Sequence, residues 1–417
     1  MATATRTYLP TDWKVFTYQP TPGVFRLDFS KWDDGNDWGS PTAGGMAEIT
    51  GKIAEIVLQD GNRADDGFTF EIQPATASVT LIYETFSKST MAEFYNGKRI
   101  VIALANPSTS GGIFGSYGRN TIFFEGFITN SSIELDPESQ ITTVQFTATD
   151  FLSIKLNTIV TQIRSSIALK GDSIGSAEWR IPLQQAFPYT DSYWYISLEG
   201  TLSNANDFSN TPKTVSVGEI LRDYCVSNMA YSVNSWSYGS ISSGIWTRRT
   251  RLITLNSAGS SAYDFPEDRI TAIQLGNDAV NNPNGFSFTN FDNSTYQIGA
   301  IDGNSLSGNV AANLTVDLMN TQAMQDIVNK FREYRSAFRP INVTVEIART
   351  YQPITYTNTS GGEFLRPDNM VSNGTVARFD LTSFGYTLDE TKSIIIGQTH
   401  TITPDTWLCD YQLMKGI

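Results

Sequence analysis

The chain has 417 residues, with 29 basic and 42 acidic side chains, so it carries a formal charge of −13 at neutral pH. That charge opposes the phosphate neutralisation that drives nucleic-acid binding, and a DNA- or RNA-binding role is not expected, although Arg248, Arg249 and Arg251 form a local basic patch. Charged residues are only 17% and aromatics 12%, with Gly, Asn, Ser and Thr plentiful, which predicts strands joined by turns in two to four domains.

The opening MATATRTYLPTDW has no secretory apolar core and no apolar run reaches the length of a membrane span, so synthesis in a cytoplasm without export by the common route is expected. Residues 1–44 hold Trp13, Trp32 and Trp38 among Gly, Pro and Asp without sustained periodicity. This reads as an extended arm docking by its aromatics, on its own domain or on a neighbouring subunit. The run Asp33-Asp34-Gly35-Asn36-Asp37 lacks the alternating ligands and distal Glu of a calcium loop and reads as a solvated turn.

A first β unit is expected over 45–163. Strands at 47–58 and 79–83, a short helix at 89–96 and a strand at 99–105 lead through a Gly- and Ser-rich loop at 106–120 into a hairpin at 121–152, turning at Asp136-Pro137. The middle, 164–262, reads as an inserted α+β domain. Ser216-Val217-Gly218-Glu219 is a capping box opening a helix with Ile220, Leu221, Tyr224, Cys225 and Met229 on one face, and strands are expected at 191–198 and within 231–251.

The second unit, 263–417, has strands expected at 268–275, 314–318 and 341–348. Its helix at 321–338 carries the apolar stripe Met324, Ile327, Val328, Phe331, Tyr334 and Phe338, with Lys330, Arg332, Arg335 and Arg339 mainly elsewhere, read as a solvated face and dipole compensation. Residues 351–376 form an insertion suited to contacts. The chain ends in SIIIGQTHTITPDTWLCDYQLMKG, where Ile394–396 predict a buried strand that ends at Gly397, and Trp407, Cys409, Tyr411 and Leu413 alternate on a returning strand. The order strand, strand, helix, strand, strand, strand thus occurs twice. The expected fold is β-dominated α+β: two similar β-barrel or sandwich units with a short helix each, plus the inserted domain. The alternative is two unrelated β-domains sharing a hairpin form.

Catalytic chemistry is poorly supplied. His400 is the single histidine, which removes most His-based triads and metal sites, and its setting among threonines reads as structural. Cys225 and Cys409 have neither disulfide-framework nor zinc spacing and read as buried thiols. Glu125, Asp264 and Asp317 are available carboxylates with nothing selecting a pair. No enzyme activity, cofactor or metal is expected, and no catalytic, cofactor-binding or metal-ligating residue is assigned.

The phrase Phe124-Glu125-Gly126-Phe127-Ile128, followed after the turn by Thr143-Val144-Gln145-Phe146-Thr147-Ala148-Thr149-Asp150, resembles the first barrel of bacteriophage tail-tip hub proteins. The stretch from Gly397 to Leu413, with His400, Pro404 and Trp407, looks like the final hairpin of phage minor tail proteins of that class, which are related to the hub proteins of contractile tails. This resemblance covers the two β units. It implies a structural virion protein at the tail tip, assembled in the host cytoplasm: a homotrimeric hub whose paired barrels give six quasi-equivalent positions on a six-fold tube. The implied partners are a distal tail ring or tail-tube protein, the tape-measure protein and central spike or fibre proteins, with DNA passing through the channel without specific binding. An acidic lumen is expected from the charge of −13. The alternative reading is a receptor- or carbohydrate-binding tail protein using Tyr193, Trp194, Tyr195, Trp236 and Trp246.

Overall fold

The computed structural model describes residues 4–8, 10–18, 46–61, 73–104, 122–150, 152–157, 159–162, 194–199, 213–216, 218, 230–238, 246–254, 262–276, 285–289, 295–298, 311–315, 339–349, 354–358, 373–374 and 376–415. Strands dominate and the helices are short, as the composition predicts.

The chain begins with β1 (Ala4–Tyr8) and β2 (Trp13–Tyr18), followed by β3 (Met46–Glu48), β4 (Lys52–Gly61) and β5 (Thr76–Tyr83). A short helix, α1 (Lys88–Met91), runs into a 3-10 turn at Ala92–Phe94 and leads to β6 (Arg99–Leu104). Ser87 caps α1 by accepting from the Thr90 amide. The long hairpin of β7 (Ile122–Asp136) and β8 (Ile141–Asp150) comes next, then α2 (Leu152–Leu156).

These strands form a ring. β4 pairs with β5, β5 with β8, β8 with β7, β7 with β6, β6 with β2 and β2 with β3, every pair antiparallel. β3 and β4 are separated only by residues 49–51, and the Ile49 amide still donates to the Val15 carbonyl at 2.9 Å. The bent β3–β4 segment thus returns the ladder to its start as a six-stave ring, and the edge of β4 beyond the bend, from Ile56 to Gly61, is covered by a strand from the last third of the chain. Period-two alternation fills it: Ala77, Val79 and Leu81 on β5 and Val144, Phe146 and Ala148 on β8 are buried while their neighbours alternate outward. Phe94 plugs one end, its ring 5.7 Å from Phe146 and 6.2 Å from Tyr83. Residues 4–8 and 13–18, expected to be part of an extended arm, are strands instead, and β2 is a barrel stave because its alternate residues Trp13 and Val15 bury in the core. Trp32, Trp38, the Asp33–Asp37 run and the loop at 106–120 lie outside the described residues.

In the middle of the chain β9 (Ile159–Gln162) pairs with β11 (Lys213–Ser216), and β10 (Trp194–Glu199) lies parallel to β13 (Trp246–Thr254), which is antiparallel to β12 (Ala230–Tyr238). The strands expected near 191–198 and 231–251 are thus present. Gly218 is helical, but the rest of the helix expected after Ser216 lies outside the described residues, as does the helix expected at 321–338.

The last third contains β14 (Ala262–Phe265), a 3-10 turn at Glu267–Arg269, β15 (Ile270–Gly276), β16 (Gly285–Thr289), β17 (Thr295–Ile298), β18 (Ala311–Thr315), β19 (Arg339–Arg349), β20 (Ile354–Asn358), β21 (Val376–Phe379), β22 (Ser393–Ile402) and β23 (Thr406–Lys415). A second ring is traced by β15, β19, β23, β22, β21 and β14, closed by a parallel β14–β21 pair and the short turn from β14 to β15. The two units each have a long hairpin, yet their flanks differ. In the first unit β6 pairs with the outgoing arm β7, whereas its sequence counterpart β19 pairs with the returning arm β23. β18, the expected counterpart of β5, sits in a separate three-stranded sheet with β16 and β17. The long hairpin recurs; the pairing of its flanks does not, because the outgoing arm β22 is already flanked by β21 and β4.

That last pairing joins the rings. β22 runs antiparallel to β4 from Gly397 opposite Gly61 to Ile402 opposite Ile56. The strand expected to end at Gly397 continues through it to Ile402, with a bulge at that point that lets the ladder go on. The close approach is nonetheless real: Gly61 has φ +101°, and a Cβ there would lie 2.5 Å from the Ile396 carbonyl oxygen and 2.7 Å from Gly397 Cα. Gly61→Ala should therefore destabilise the chain by about 3 kcal/mol. Gly385→Ala, at φ +83° with nothing within 4 Å of the added Cβ, should cost only about 1 kcal/mol. Urea denaturation midpoints at equal m-values check the difference, and equal losses would remove the seam from this account.

Candidate functional site

The structure places His400 in the wall between the two rings, and its surroundings assign it a structural task. Trp407 Nε1–H donates to His400 Nδ1 at 3.2 Å. With Nδ1 accepting, the proton sits on Nε2, which lies 3.2 Å from the Gln398 amide oxygen and donates to it. The imidazole is buried, and Phe123 approaches it edge-on with centroids 5.6 Å apart. A ring held this way orients its neighbours and has no route to a substrate.

Two of the carboxylates considered from sequence, Glu125 and Asp264, are each engaged by a separate arginine. Glu125, on β7, is fully buried and ion-paired with Arg99 on β6. Such a pair is costly to break, because removing one partner strands the other charge in the interior. Asp264, on β14, takes two hydrogen bonds from Arg378, at 2.6 and 2.8 Å, and that contact holds its carboxyl below the usual range. Asp317 and Cys225 lie outside the described residues. Cys409 is buried, and burial pushes its thiol well above the ordinary range, so it is not a nucleophile. Among the described residues no group of three His, Cys, Asp or Glu side chains is placed to hold a metal, and no helix is long and apolar enough to cross a membrane.

What the geometry does provide is a strand that belongs to two interiors. Trp407, Cys409, Tyr411 and Leu413 all face inward along β23, as their alternation predicts. Trp407 meets Trp13 of β2 at 5.0 Å in a T-shaped arrangement and Phe123 of β7 at 5.9 Å, so this end of the strand packs into the first ring. Four residues on, Tyr411 lies 5.3 Å from Phe265 of β14, which stacks on Phe379 of β21 at 5.1 Å, in the second ring. The buried apolar side chains of both rings form one cluster. Aromatic pairs of these types each contribute about 1 kcal/mol beyond the area they bury. Sequence reasoning identified Trp407 and Tyr411 but missed Phe265 and Phe379, whose partners are far away in the chain.

The outer surface shows where contacts can form. Beyond Ile128, β7 extends past β6, and the β7–β8 hairpin projects with Leu135 60% and Ile141 40% exposed beside the acidic Glu134, Asp136 and Glu138. Its tip is ordered from within. Asp136 accepts from the Ser139 hydroxyl at 2.6 Å and the Glu138 amide at 2.9 Å, which holds its carboxyl below the usual range and keeps it charged. Tyr95 and Phe384 are also exposed. The signal for the projecting tip was present in sequence as apolar residues directly flanking an acidic turn.

Comparison with known proteins gives likenesses at the level of structure only. No family model and no curated protein matches the sequence. Among solved structures the chain is similar to a tail protein from Neisseria meningitidis MC58, with 10% identity and a TM-score of 0.49 over 88% of this chain and 93% of that one. It is also similar to a 43 kDa tail protein of prophage MuSo2 from Shewanella oneidensis, with 8% identity and a TM-score of 0.47 over 89% and 94% of the two chains. A third likeness is to an E. coli component of the type VI secretion system, with 6% identity and a TM-score of 0.44 over 88% and 74%.

Two outcomes follow from the packing of β23. Trp407→Phe keeps a ring in the wall but removes the N–H that His400 accepts, and should cost about 2 kcal/mol, whereas Trp407→Ala should cost about 4; thermal denaturation of the two variants separates the terms. In a Cys225→Ser background, Cys409 should resist a thiol reagent in the folded chain and react only at the rate of unfolding, and rapid labelling of native protein would refute its burial.

Proposed function

We propose that the chain is a structural protein of a phage-type tail tip, a homotrimeric hub that closes the tail tube around the end of the tape-measure protein and anchors a central spike or fibres. The observation that carries this reading is the welding of two closed β ladders into one body, through the β4–β22 pairing and a terminal strand buried in both. One polypeptide then presents two barrels at a fixed spacing. Three copies present six, the number needed to seat a three-fold ring on a six-fold tube. The phrases that resemble tail-tip hub proteins lie in the two hairpins, β7–β8 and β22–β23, that supply those walls.

The proposed division of labour follows the chain: an N-terminal segment at 1–44, a first β unit at 45–163, an inserted domain at 164–262 and a second β unit at 263–417. The partners in this reading are a distal tail ring or tail-tube protein, the tape-measure protein and spike or fibre proteins, all at the tail tip of a virion assembled in the host cytoplasm. DNA would pass without being held, since a chain of net charge −13 repels it.

The experiment is a mass and symmetry measurement. Multi-angle light scattering of the full chain, alone and mixed with its tail-tube protein, should give three times the 46.0 kDa chain mass, and negative-stain averages should show a three-fold ring with six lobes. A chain that stays monomeric under both conditions at micromolar concentration, or rings of another symmetry, would overturn the reading.

A further inference from the structure

The β7–β8 hairpin carries a strand edge that the first ring does not use. β6 follows β7 only from Ile122 to Phe127. The turn after Phe94 takes the next step: the Gly97 amide donates to the Ile128 carbonyl at 2.7 Å, the Ile128 amide to the Lys98 carbonyl at 2.9 Å and the Ser131 hydroxyl to the Phe94 carbonyl at 2.8 Å. From Ser132 to Asp136, β7 is paired with β8 on one side, and among the described residues no strand lies on the other. Ser132, Glu134, Leu135 and Asp136 are exposed in the folded chain. Alternate residues of a strand direct their N–H and C=O to opposite sides, so this edge offers backbone donors and acceptors over a length of about 17 Å. Its two faces differ. Ile133 and Leu135 stand opposite Val144 and the buried Thr142 on the inner face; Ile133 packs against the core, and Leu135, 60% exposed, carries the apolar row beyond it. Ser132, Glu134 and Asp136 stand opposite Gln145, Thr143 and Ile141 on the outer face. From Ile128 to Thr149 the sequence has three acidic side chains, Glu134, Asp136 and Glu138, and no basic one.

We propose that this edge is a docking site for an extended segment of another protein in which basic and apolar residues alternate. The segment adds as a strand beside β7, and its backbone takes up the hydrogen bonds that β6 leaves unmade. One set of its alternate side chains then lies beside Ile133 and Leu135, extending the apolar face, and the other set lies beside Glu134 and Asp136. Charge decides the occupant. Two copies of this chain joined edge to edge would gather the Glu134 and Asp136 carboxylates of both, and like charges on neighbouring strands destabilise the pairing. Lys or Arg on the incoming strand meets the same carboxylates as a partner of opposite sign. The acidic flank therefore guards the edge against self-association, the ordinary hazard of an open strand, while admitting a basic segment. The site belongs to the hairpin alone and does not need the tail-hub reading.

The test uses the full chain and fluorescence anisotropy with three labelled heptapeptides. One alternates Lys and Val, one has the same residues as a Lys block followed by a Val block, and one is the alternating peptide with its backbone amides N-methylated. The alternating peptide should bind about tenfold more tightly than the block peptide of equal charge, and N-methylation should abolish its binding. Leu135→Ala should weaken binding about fivefold and Glu134→Gln about threefold. Both side chains are exposed, so neither variant threatens the fold. Phe384→Ala, which removes an exposed ring outside the hairpin, should leave binding unchanged. Equal binding of the alternating and block peptides would mean diffuse attraction to the charge of −13, and that result overturns the proposal. So would binding that survives N-methylation, binding indifferent to Leu135→Ala and Glu134→Gln, or no binding at millimolar peptide. A dimer of the chain that Leu135→Ala dissolves would assign the edge to a second copy and overturn it as well.

Discussion

One strand pair holds this molecule together. β4 is a stave of the first ring along its whole length on the side of β5, but on its other side it hands over from the bend that continues β3 to β22, which arrives from the end of the chain. Gln59 donates to Thr399 across the pair at 3.2 Å, over a sequence separation of 340 residues. The seam works because Gly61 and Gly397 bring two backbones together with no side chain between them, and because His400 and Ile402 continue the row of Leu58 and Ile56 on the same inner face. A sheet edge that would otherwise invite another chain is covered by β22.

Burial follows from that pairing. Trp407 and Tyr411 lie on one face of one strand, about two alternate positions apart, yet they pack into different rings. The two rings therefore cannot move independently without exposing large aromatic side chains, and each side chain of this kind buries on the order of 200 Å². The arrangement also has a kinetic consequence. The first ring cannot complete its wall until the final residues are synthesised, so its folding depends on contacts of very long range, which close slowly. The proposed ring would need such a body, since a fixed spacing between the two barrels would set its symmetry.

The buried polar groups show how the wall is specified as well as filled. Arg99 and Glu125 face each other across β6 and β7, and His400 is fixed between Trp407 and Gln398. Tyr83 lies against Gly51 at the bend that closes the first ring; burial pushes its phenol up to about 12, with the Glu93 carboxylate adding and the Gly51 backbone bond opposing. Each of these groups has a defined partner on another segment of the chain, His400 through Trp407 of β23 and Tyr83 through the bend at Gly51. A register slip would leave them unsatisfied in a medium where that is costly, so they select the pairing that apolar packing alone would leave loosely determined.

Much of this was legible from residues alone. Alternation located β5, β8 and β23 and named the inward side chains on β23, because a half-buried strand writes its two faces into every second residue. The turn at Asp136 and the short α1 were readable for similarly local reasons. Other features were decided only by tertiary structure. Trp13–Tyr18 form a barrel stave, β19 chooses β23 over β22, and Trp194 and Trp236 share a row through a parallel strand. Local sequence specifies that a segment is a strand and which side is apolar; it carries no record of which edge that strand will meet, since backbone hydrogen bonds are identical at every residue and the choice is made by the competition of all edges for partners in three dimensions.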